Sequence, residues 1–363
     1  MSSESRLIER VVRKLPSQIA GGLRIGIGDD AAVLRPRAGA DWVLTTDAFL
    51  ENVHFLLRVH PPEAVGYKAL ARATSDLAAM GARPRFFLLS LALPPSCTGK
   101  WFNRFLDGMA RAARSFGLVL AGGDTTRNPL AAINLTVIGE VVPGQAVLRS
   151  GARPGDSICV SGTLGEAELG LRLLQRGGHK FPAGSKFWRA SSRRRAKASA
   201  VATARKARTR WSPQPSEKLK SLVQKHLYPE PRLALGEWLA KNGTATAMID
   251  TSDGFSTDLA HLCEASGVGA RVWAARIPKV TMPNDLRKLN LDLLRLALDG
   301  GEDYELLFTV PRRLARRLPR AVRGVPVTII GEITRGRRVL LIDDAGREKT
   351  LRPQGWDPFR KRL

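Results

Sequence analysis

Cysteine is scarce in this sequence. Its 363 residues include three cysteines, Cys97, Cys159 and Cys263, which lie far apart and show no C-x-x-C pairing. An odd number of widely spaced cysteines does not form a disulfide framework, and a chain of this length buries enough core to need none. We therefore expect reduced thiols and a cytoplasmic protein.

Clustered histidines and long apolar runs are also missing. The five histidines never fall into H-E-x-x-H or H-x-x-x-H spacing, so the sequence does not indicate a zinc site. The longest apolar run, near residues 86–95, has about half of the roughly 20 residues that a membrane helix requires. Residues 1–14 carry several charges and lack the apolar segment of a signal peptide. We expect no membrane association.

Acidic residues are few relative to basic ones. The chain has 33 Asp and Glu against 58 Lys and Arg, a net charge of +25. This excess favours anionic partners, namely nucleic acid, a membrane surface or phosphorylated small molecules, and charge alone does not choose among them. Much of it lies at about residues 178–222, where ten basic residues from Lys186 to Arg210 occur without one acid. This composition predicts a solvated, flexible insertion.

The remaining sequence predicts an α/β protein of two domains. Residues 1–150 alternate strands and helices, including an amphipathic helix that opens at Pro62 and ends at Gly81. Residues 151–363 form a second α/β domain that carries the insertion. At about 100–200 residues per domain, the length agrees with this division.

The scarce acids concentrate at the predicted ends of strands, with one more in a helix. Ligands of open α/β sheets bind at such strand ends, and converging carboxylates repel one another unless cations lie between them. Oxygen ligands without clustered His or Cys favour Mg²⁺, which commonly holds nucleotide phosphates. For any one of these acidic residues, the structural alternative is a role in a turn or as a helix N-cap. The acids are Asp29 and Asp30 in G-I-G-D-D-A, Asp47 in T-T-D, Asp76 in S-D-L, Asp124 in G-G-D-T, Asp250 and Asp253 in I-D-T-S-D-G, and Glu302 and Asp303 in G-G-E-D-Y.

Several other motifs have two interpretations. G-I-G-D-D-A matches the dinucleotide fingerprint superficially, but its two aspartates would repel a pyrophosphate unless a metal intervened, and no P-loop is present. His54 in a polar loop is either structural or functional. Arg149 either contacts phosphate or faces solvent. The segment from Ser161 to Gly165 is either an anion site at a helix start or a tight turn.

Taken together, these motifs resemble the thiamine-monophosphate kinase family. The match follows the family's order and spans nearly the whole chain outside the insertion. Its specificity lies in the set, because no single motif carries it. Besides the acidic motifs, the set includes V-H-F at 53–55, K-A-L-A at 68–71, S-G-A-R-P-G-D at 150–156 and Y-P-E-P-R at 228–232.

The resemblance implies the fold of aminoimidazole ribonucleotide synthetase and a homodimer. The strands of the N-terminal half would form a barrel with those of a second copy, and the C-terminal α/β half would cover the nucleotide. It also implies transfer of the γ-phosphoryl group of ATP to thiamine monophosphate, the last step of thiamine diphosphate synthesis.

Site residues follow from the same resemblance, motif by motif. Several Mg²⁺ ions would be held by Asp30, Thr45, Thr46, Asp47, Asp76, Asp124, Asp250 and Asp253. ATP would contact Gly123, Asp124, Arg149 and Ser252. Thiamine monophosphate would face His54, Glu302 and a C-terminal aromatic residue, either Trp356 or Phe359. Catalysis would be metal-assisted, with Asp47, Asp124 and Asp253 the favoured participants and no obvious general base.

Two departures from the family pattern leave alternatives. The insertion is not part of the pattern, and Pro358 stands where we expect histidine, so the choice between Trp356 and Phe359 stays open. Selenophosphate synthetase and the hydrogenase-maturation carbamoyl dehydratase share the fold, but the first needs a cysteine near the N-terminus and the second a C-terminal cysteine. Aminoimidazole ribonucleotide synthetase is a further alternative. Nucleic-acid binding through the insertion, with Phe187, Trp188 and Trp211 as stacking groups, competes with the favoured interpretation of a basic loop without a partner.

Overall fold

The computed structural model describes residues 3–17, 22–25, 27, 32–35, 37–176, 217–282, 286 and 290–359. The helices in these ranges are α1 (Ser3–Lys14), α2 (Pro62–Ala79), α3 (Lys100–Phe116), α4 (Glu166–Arg176), α5 (Glu217–Leu227), α6 (Leu233–Lys241), α7 (Phe255–Ser266), α8 (Leu293–Asp299) and α9 (Arg312–Ala315). The strands are β1 (Leu23–Ile25), β2 (Val33–Leu34), β3 (Asp41–Leu50), β4 (Arg83–Leu93), β5 (Val119–Arg127), β6 (Ala132–Val141), β7 (Ser157–Ser161), β8 (Ala247–Asp250), β9 (Gly269–Trp273), β10 (Leu306–Val310), β11 (Ala321–Val322), β12 (Val325–Thr334), β13 (Val339–Ile342) and β14 (Glu348–Thr350).

The N-terminal half is a four-stranded sheet with helices on one face. Its strand order is β3-β6-β4-β5, and β4 and β5 are the parallel pair. Side chains alternate between the faces of a strand, so Phe87, Leu89 and Leu91 pack into the core formed with α2 and α3. The opposite face is open, since Leu44 on β3 is 59% exposed and Leu88 on β4 is 36% exposed.

Helices α2 and α3 approach each other closely because two glycines lie at their contact. A Cβ on Gly66 would lie 2.0 Å from the carbonyl oxygen of Phe105, and one on Gly108 would lie 1.9 Å from that of Glu63. Backbone atoms cannot move aside as a side chain can. The two glycines therefore determine how deeply α2 lies against α3, and α2 carries much of the site described below.

The C-terminal half is a larger mixed sheet packed against helices. Its strand order is β14-β13-β9-β12-β7-β10-β8, with β11 paired to β12. The core of this half includes Phe255, Leu259 and Leu262 of α7. Helix α2 contacts β8 and α6 of the C-terminal half as well as β3 and β6, so it packs between the two sheets. No helix in the described ranges is long and apolar enough to cross a membrane.

The predicted α/β character of both halves is confirmed, and the helix predicted between Pro62 and Gly81 is α2, Pro62–Ala79. The placement of two acids at strand ends was wrong. Asp47 lies within β3, whose pairing with β6 continues to Leu50, and Asp124 lies within β5, which continues to Arg127. Hydrophobic periodicity detects a strand but not where its hydrogen-bonded ladder ends.

The insertion predicted at about 178–222 lies largely outside the described residues. Its final part does not, because α5 begins at Glu217. Leu219 and Leu222 of this helix are buried in a cluster with Leu169 and Leu173 of α4. Residues 217–222 therefore belong to the packed C-terminal half.

Candidate active site

One face of α2 carries three charged side chains that the fold brings to the centre of the molecule. Lys68, Arg72 and Asp76 are spaced by four residues and so lie along one side of the helix. Arg72 Nε and Nη2 each donate to a carboxylate oxygen of Asp47, at 3.0 and 3.0 Å. Thr45 Oγ1 donates to Asp76 Oδ2 at 2.6 Å. Alternation along β3 therefore directs Thr45 and Asp47 toward α2 and Thr46 to the open face.

The loop between β8 and α7 brings further carboxylates to the same place. Asp250 is the last residue of β8 and is 2% exposed. Burial, followed by the negative charges of Asp76 and Asp253, raises its pKa to about 7. Burial likewise raises the pKa of Asp253, and Asp47 adds to this. The positive charge of Arg149 lowers the pKa values of Asp76, Asp250 and Asp253.

These carboxylates are suited to hard cations. The charges of four of them act on one another, namely Asp47, Asp76, Asp250 and Asp253. Carboxylate and hydroxyl oxygens are the ligands that Mg²⁺ prefers. Within the described ranges, no three His, Cys, Asp or Glu side chains are close enough together to hold one ion. Asp30 lies outside the described residues. The charge repulsion among Asp47, Asp76, Asp250 and Asp253 is of the kind that bound cations relieve.

Asp124 and Gly123 lie elsewhere on the sheet. Asp124 pairs with Ser90, which pairs with Asn134, which pairs with Ala48 of β3. Asp124 thus shares the open face with Thr46 and Ala48, and three strand spacings of about 4.8 Å separate it from β3, roughly 14 Å in all. In a single copy of the chain, Asp124 is not part of the group formed by Asp47, Asp76, Asp250 and Asp253.

A second part of the site is lined by His54 and Trp356. The backbone N–H of Leu50 donates to His54 Nδ1 at 3.0 Å, and the His54 ring lies 6.4 Å from that of Trp356. Burial, followed by the charge of Arg72, lowers the pKa of His54 to about 4, so the ring is neutral at pH 7. The backbone N–H of Trp356 donates to the Asp253 carbonyl oxygen at 2.7 Å. Phe359, the alternative aromatic residue, is 92% exposed.

Glu302 borders both parts of the site. Its backbone N–H donates to the carbonyl oxygen of Ser252 at 2.8 Å, and its φ of 67° is unusual for a residue with a side chain. Lys68 Nζ donates to Glu302 Oε2 at 2.8 Å. Burial raises the pKa of Glu302, but the nearby positive charges, led by Lys68, outweigh it and lower the pKa to about 2. The carboxylate is therefore ionised throughout the physiological range.

The segment from Ser161 to Gly165 had two interpretations, and the structure gives its partner. Asp303 accepts hydrogen bonds from the backbone N–H groups of Gly165 and Ala167, at 2.6 and 3.0 Å. These groups lie at the start of α4, where backbone donors have no partner within the helix. The chain's own carboxylate therefore occupies the anion position at this helix start. Burial raises the pKa of Asp303 to about 8.

Sequence reasoning missed Lys68, Arg72 and His226 as individual site residues. Lys68 appeared only within a motif, and His226 only among the isolated histidines. A signal was present for the first two, because two bases and an acid recur every four residues in an otherwise apolar helix. No local signal marks His226, which reaches the site from α5 through tertiary packing.

Both halves of the chain are similar to known proteins. Residues 28–141 match the family model of the AIR synthase related protein, N-terminal domain, and residues 153–344 match that of its C-terminal domain. The chain is 37% identical over 339 residues to the thiamine-monophosphate kinase of Salmonella typhimurium, covering 92% of this chain and 91% of that protein.

Solved structures give the same result. The crystal structure of thiamine-monophosphate kinase from Stenotrophomonas maltophilia is 36% identical, with a TM-score of 0.70 over 93% of this chain and 94% of that one. AaThiL complexed with AMPPCP and TMP is 31% identical, with a TM-score of 0.70 over 98% of this chain and 96% of that one.

Proposed function

This chain belongs to the thiamine-monophosphate kinases and phosphorylates thiamine monophosphate with ATP, and we propose that the substrates meet over the carboxylates of β3, α2 and the β8–α7 loop. The observation that carries this location is the group formed by Asp47, Asp76, Asp250 and Asp253 beside Arg149: the charge of Asp47 acts on Asp76 and Asp253, and the charges of Asp76 and Asp253 act on Asp250. Two anionic substrates need such a concentration of cation ligands.

In this proposal Mg²⁺ is held by Asp30, Thr45, Thr46, Asp47, Asp76, Asp250 and Asp253, together with Asp124. When bound, it supplies charge neutralisation of the phosphates and alignment of the reacting oxygens. The chain's own residues prepare this site. Arg72 fixes both oxygens of Asp47, and Thr45 fixes one oxygen of Asp76. Arg149 and Ser252 contact ATP, and no general base is required because the acceptor phosphate is already largely ionised at neutral pH.

The thiamine end of the substrate lies between His54, Glu302 and Trp356. Thiamine carries a cationic thiazolium ring, which an aromatic face and a carboxylate both attract. His54 suits this position because it is neutral at pH 7, and Glu302 because it is ionised. We assign the aromatic contact to Trp356 rather than Phe359, since Trp356 neighbours the His54 ring and Phe359 is 92% exposed.

The direct test measures thiamine diphosphate and ADP formed from ATP, Mg²⁺ and thiamine monophosphate. Asp47→Asn should lower kcat at least about 10²- to 10³-fold, the usual cost of one electrostatic stabiliser. Asp107→Asn makes the same chemical change at an exposed position of α3. It is the matched control and should retain activity. Equal activity of Asp47→Asn would contradict the site. Product from free thiamine or an aminoimidazole precursor instead would move the substrate to another enzyme of the superfamily.

The open face of the N-terminal sheet supports a homodimer with shared sites. Leu44 and Leu88 are exposed there, and β3 and β5 are the two edges of the sheet. A second copy related by a two-fold axis covers this face and closes the sheets into a barrel, with β5 of one copy beside β3 of the other. Asp124 and Gly123 of the partner subunit then lie near Thr46, within reach of the metal and ATP.

Mixed dimers test this sharing. Asp47→Asn and Asp124→Asn chains with different affinity tags are co-expressed, and the heterodimer is purified through both tags. If the site is shared, one site carries both changes and the other carries none, so about half of wild-type activity returns although each homodimer is inactive. If both aspartates act in one chain, the heterodimer has no intact site and stays inactive.

We also place the protein in the cytoplasm, since its three cysteines are free and buried.

A further inference from the structure

We propose that Lys68, His226 and His60 are positioning residues that hold the Glu302 carboxylate in place for the thiamine end of the substrate, an inference that rests on the proposed function of Glu302. We call these three side chains the support network. They come from three separate parts of the chain: α2, α5 and the loop after β3. Neither histidine falls within a metal or phosphate motif of the sequence.

The network forms a continuous chain of hydrogen bonds. Lys68 Nζ donates to Glu302 Oε2 at 2.8 Å. It also lies 3.3 Å from His226 Nδ1, which accepts from it because an ammonium group can only donate. His226 Nε2 lies 3.1 Å from His60 Nε2. His60 Nδ1 in turn lies 3.1 Å from the Leu56 nitrogen and 3.3 Å from the Leu56 carbonyl oxygen.

The Lys68 ammonium group therefore joins Glu302 to the two histidines, because it donates both to Glu302 Oε2 and to His226 Nδ1. A single acceptor fixes only a distance, whereas two acceptors on different elements fix the position of the ammonium group and with it that of Glu302 Oε2. The left-handed backbone at Glu302 directs its side chain inward, toward Lys68 of α2 and His226 of α5.

Burial shows that the network is built for this contact. Lys68 and His226 are each 1% exposed and His60 is 4% exposed, whereas Glu302 is 23% exposed. Three side chains out of water thus support one that reaches it. Burying a lysine and a carboxylate seldom adds to stability compared with apolar residues of the same size. Packing alone therefore does not explain why a lysine occupies this position.

Titratable groups from several elements surround Glu302. Lys68 and Arg72 face it from α2, His226 from α5, His54 and His60 from the loop after β3, Glu168 from α4, and Asp47 and Tyr304 lie near the same group. Burial lowers the pKa values of His60 to about 4 and of His226 well below 6.5, so both rings are neutral at pH 7. Lys68 is therefore the cation that directly neutralises Glu302.

Removing this cation should change how activity depends on pH. In Lys68→Met, burial is no longer opposed by the nearest charge, and the pKa of Glu302 should rise by at least about 1–3 units. Glu302 then becomes protonated in the measurable range, and kcat/KM for thiamine monophosphate acquires an acid limb, falling about tenfold per pH unit below the new pKa. The KM for ATP should change less than twofold. Lys68→Arg keeps the charge and should restore the wild-type profile.

His226→Gln gives a second variant, which loses the imidazole nitrogen that accepts from Lys68. It should raise KM for thiamine monophosphate by about tenfold, the usual effect of one hydrogen bond to a charged group, and leave the acid limb absent because Lys68 remains. Lys225→Met is the control, since it removes a charge from the adjacent exposed position of α5. Its pH profile should match wild type. Thermal unfolding checks that each variant is folded.

The outcomes separate this inference from the proposed function. If Glu302→Gln leaves KM for thiamine monophosphate unchanged, Glu302 does not face the substrate and the proposed site is wrong. If Glu302→Gln raises KM but folded Lys68→Met loses activity equally at every pH, the network has only a structural role and the inference is overturned. If kcat/KM for thiamine monophosphate falls as the pH is lowered in Lys68→Met, and Lys68→Arg restores the wild-type profile, the result supports the inference.

Discussion

Replacing Gly66 with alanine tests whether the depth of α2 in the fold determines activity. The new Cβ would lie 2.0 Å from the Phe105 carbonyl oxygen, where an ordinary contact begins at 3.4 Å. The helices must separate by about 1.4 Å, because the obstructing atoms belong to the backbone. Such overpacking costs about 1–3 kcal/mol, which exceeds or matches the roughly 1 kcal/mol that alanine gains over glycine in a helix.

The larger effect should be on catalysis. Gly66 precedes Lys68 by two residues, and the displaced helix also carries Arg72 and Asp76. A displacement of about 1 Å in groups that align a reaction costs about 10²-fold in rate, so kcat should fall by about this factor. Steady-state kinetics measures this loss, and calorimetry measures the melting temperature, which should fall by no more than about 10 °C.

Gly99→Ala is the matched control, because its Cβ would meet nothing within 4 Å at the start of α3. It should cost at most about 1 kcal/mol of stability and leave kcat unchanged. Gly108→Ala, on the other side of the contact, should reproduce the loss. Wild-type kcat and stability in Gly66→Ala would refute the reasoning, since the helices would then not need this close approach.

Three further predictions concern other parts of the molecule. Arg232→Met removes the cation that pairs with buried Glu305, and chemical denaturation should show a loss of about 3–5 kcal/mol; an unchanged unfolding free energy would argue against this pairing. Leu44→Glu places a charge on the open sheet face and should convert the proposed dimer to monomers in sedimentation, whereas a dimer that persists would exclude this interface. Arg149→Gln should raise the KM for ATP by about 10- to 100-fold and that for thiamine monophosphate far less; equal changes in both would place Arg149 outside the ATP site.

The comparisons confirm the family and the reaction that the sequence motifs indicated. The acids were detectable because they stand out in a chain with few of them, and their order along the chain is independent of how it folds. The roles of individual site residues stay predictions. Asp30 lies outside the described residues, and the separation of Asp124 from β3 is the reason for our proposal that it acts in the site of a second copy of the chain.

The sequence by itself indicated the amphipathic helices, the approximate positions of the strands, and the acids that we predict to be cation ligands. These depend on local periodicity and residue type. Only the tertiary structure decided which charges meet. His226 lies 158 residues from Lys68, yet their side-chain nitrogens are 3.3 Å apart. Hydrogen bonds act over a few ångströms, so such a contact depends on how the two halves pack around α2 and not on any pattern along the chain.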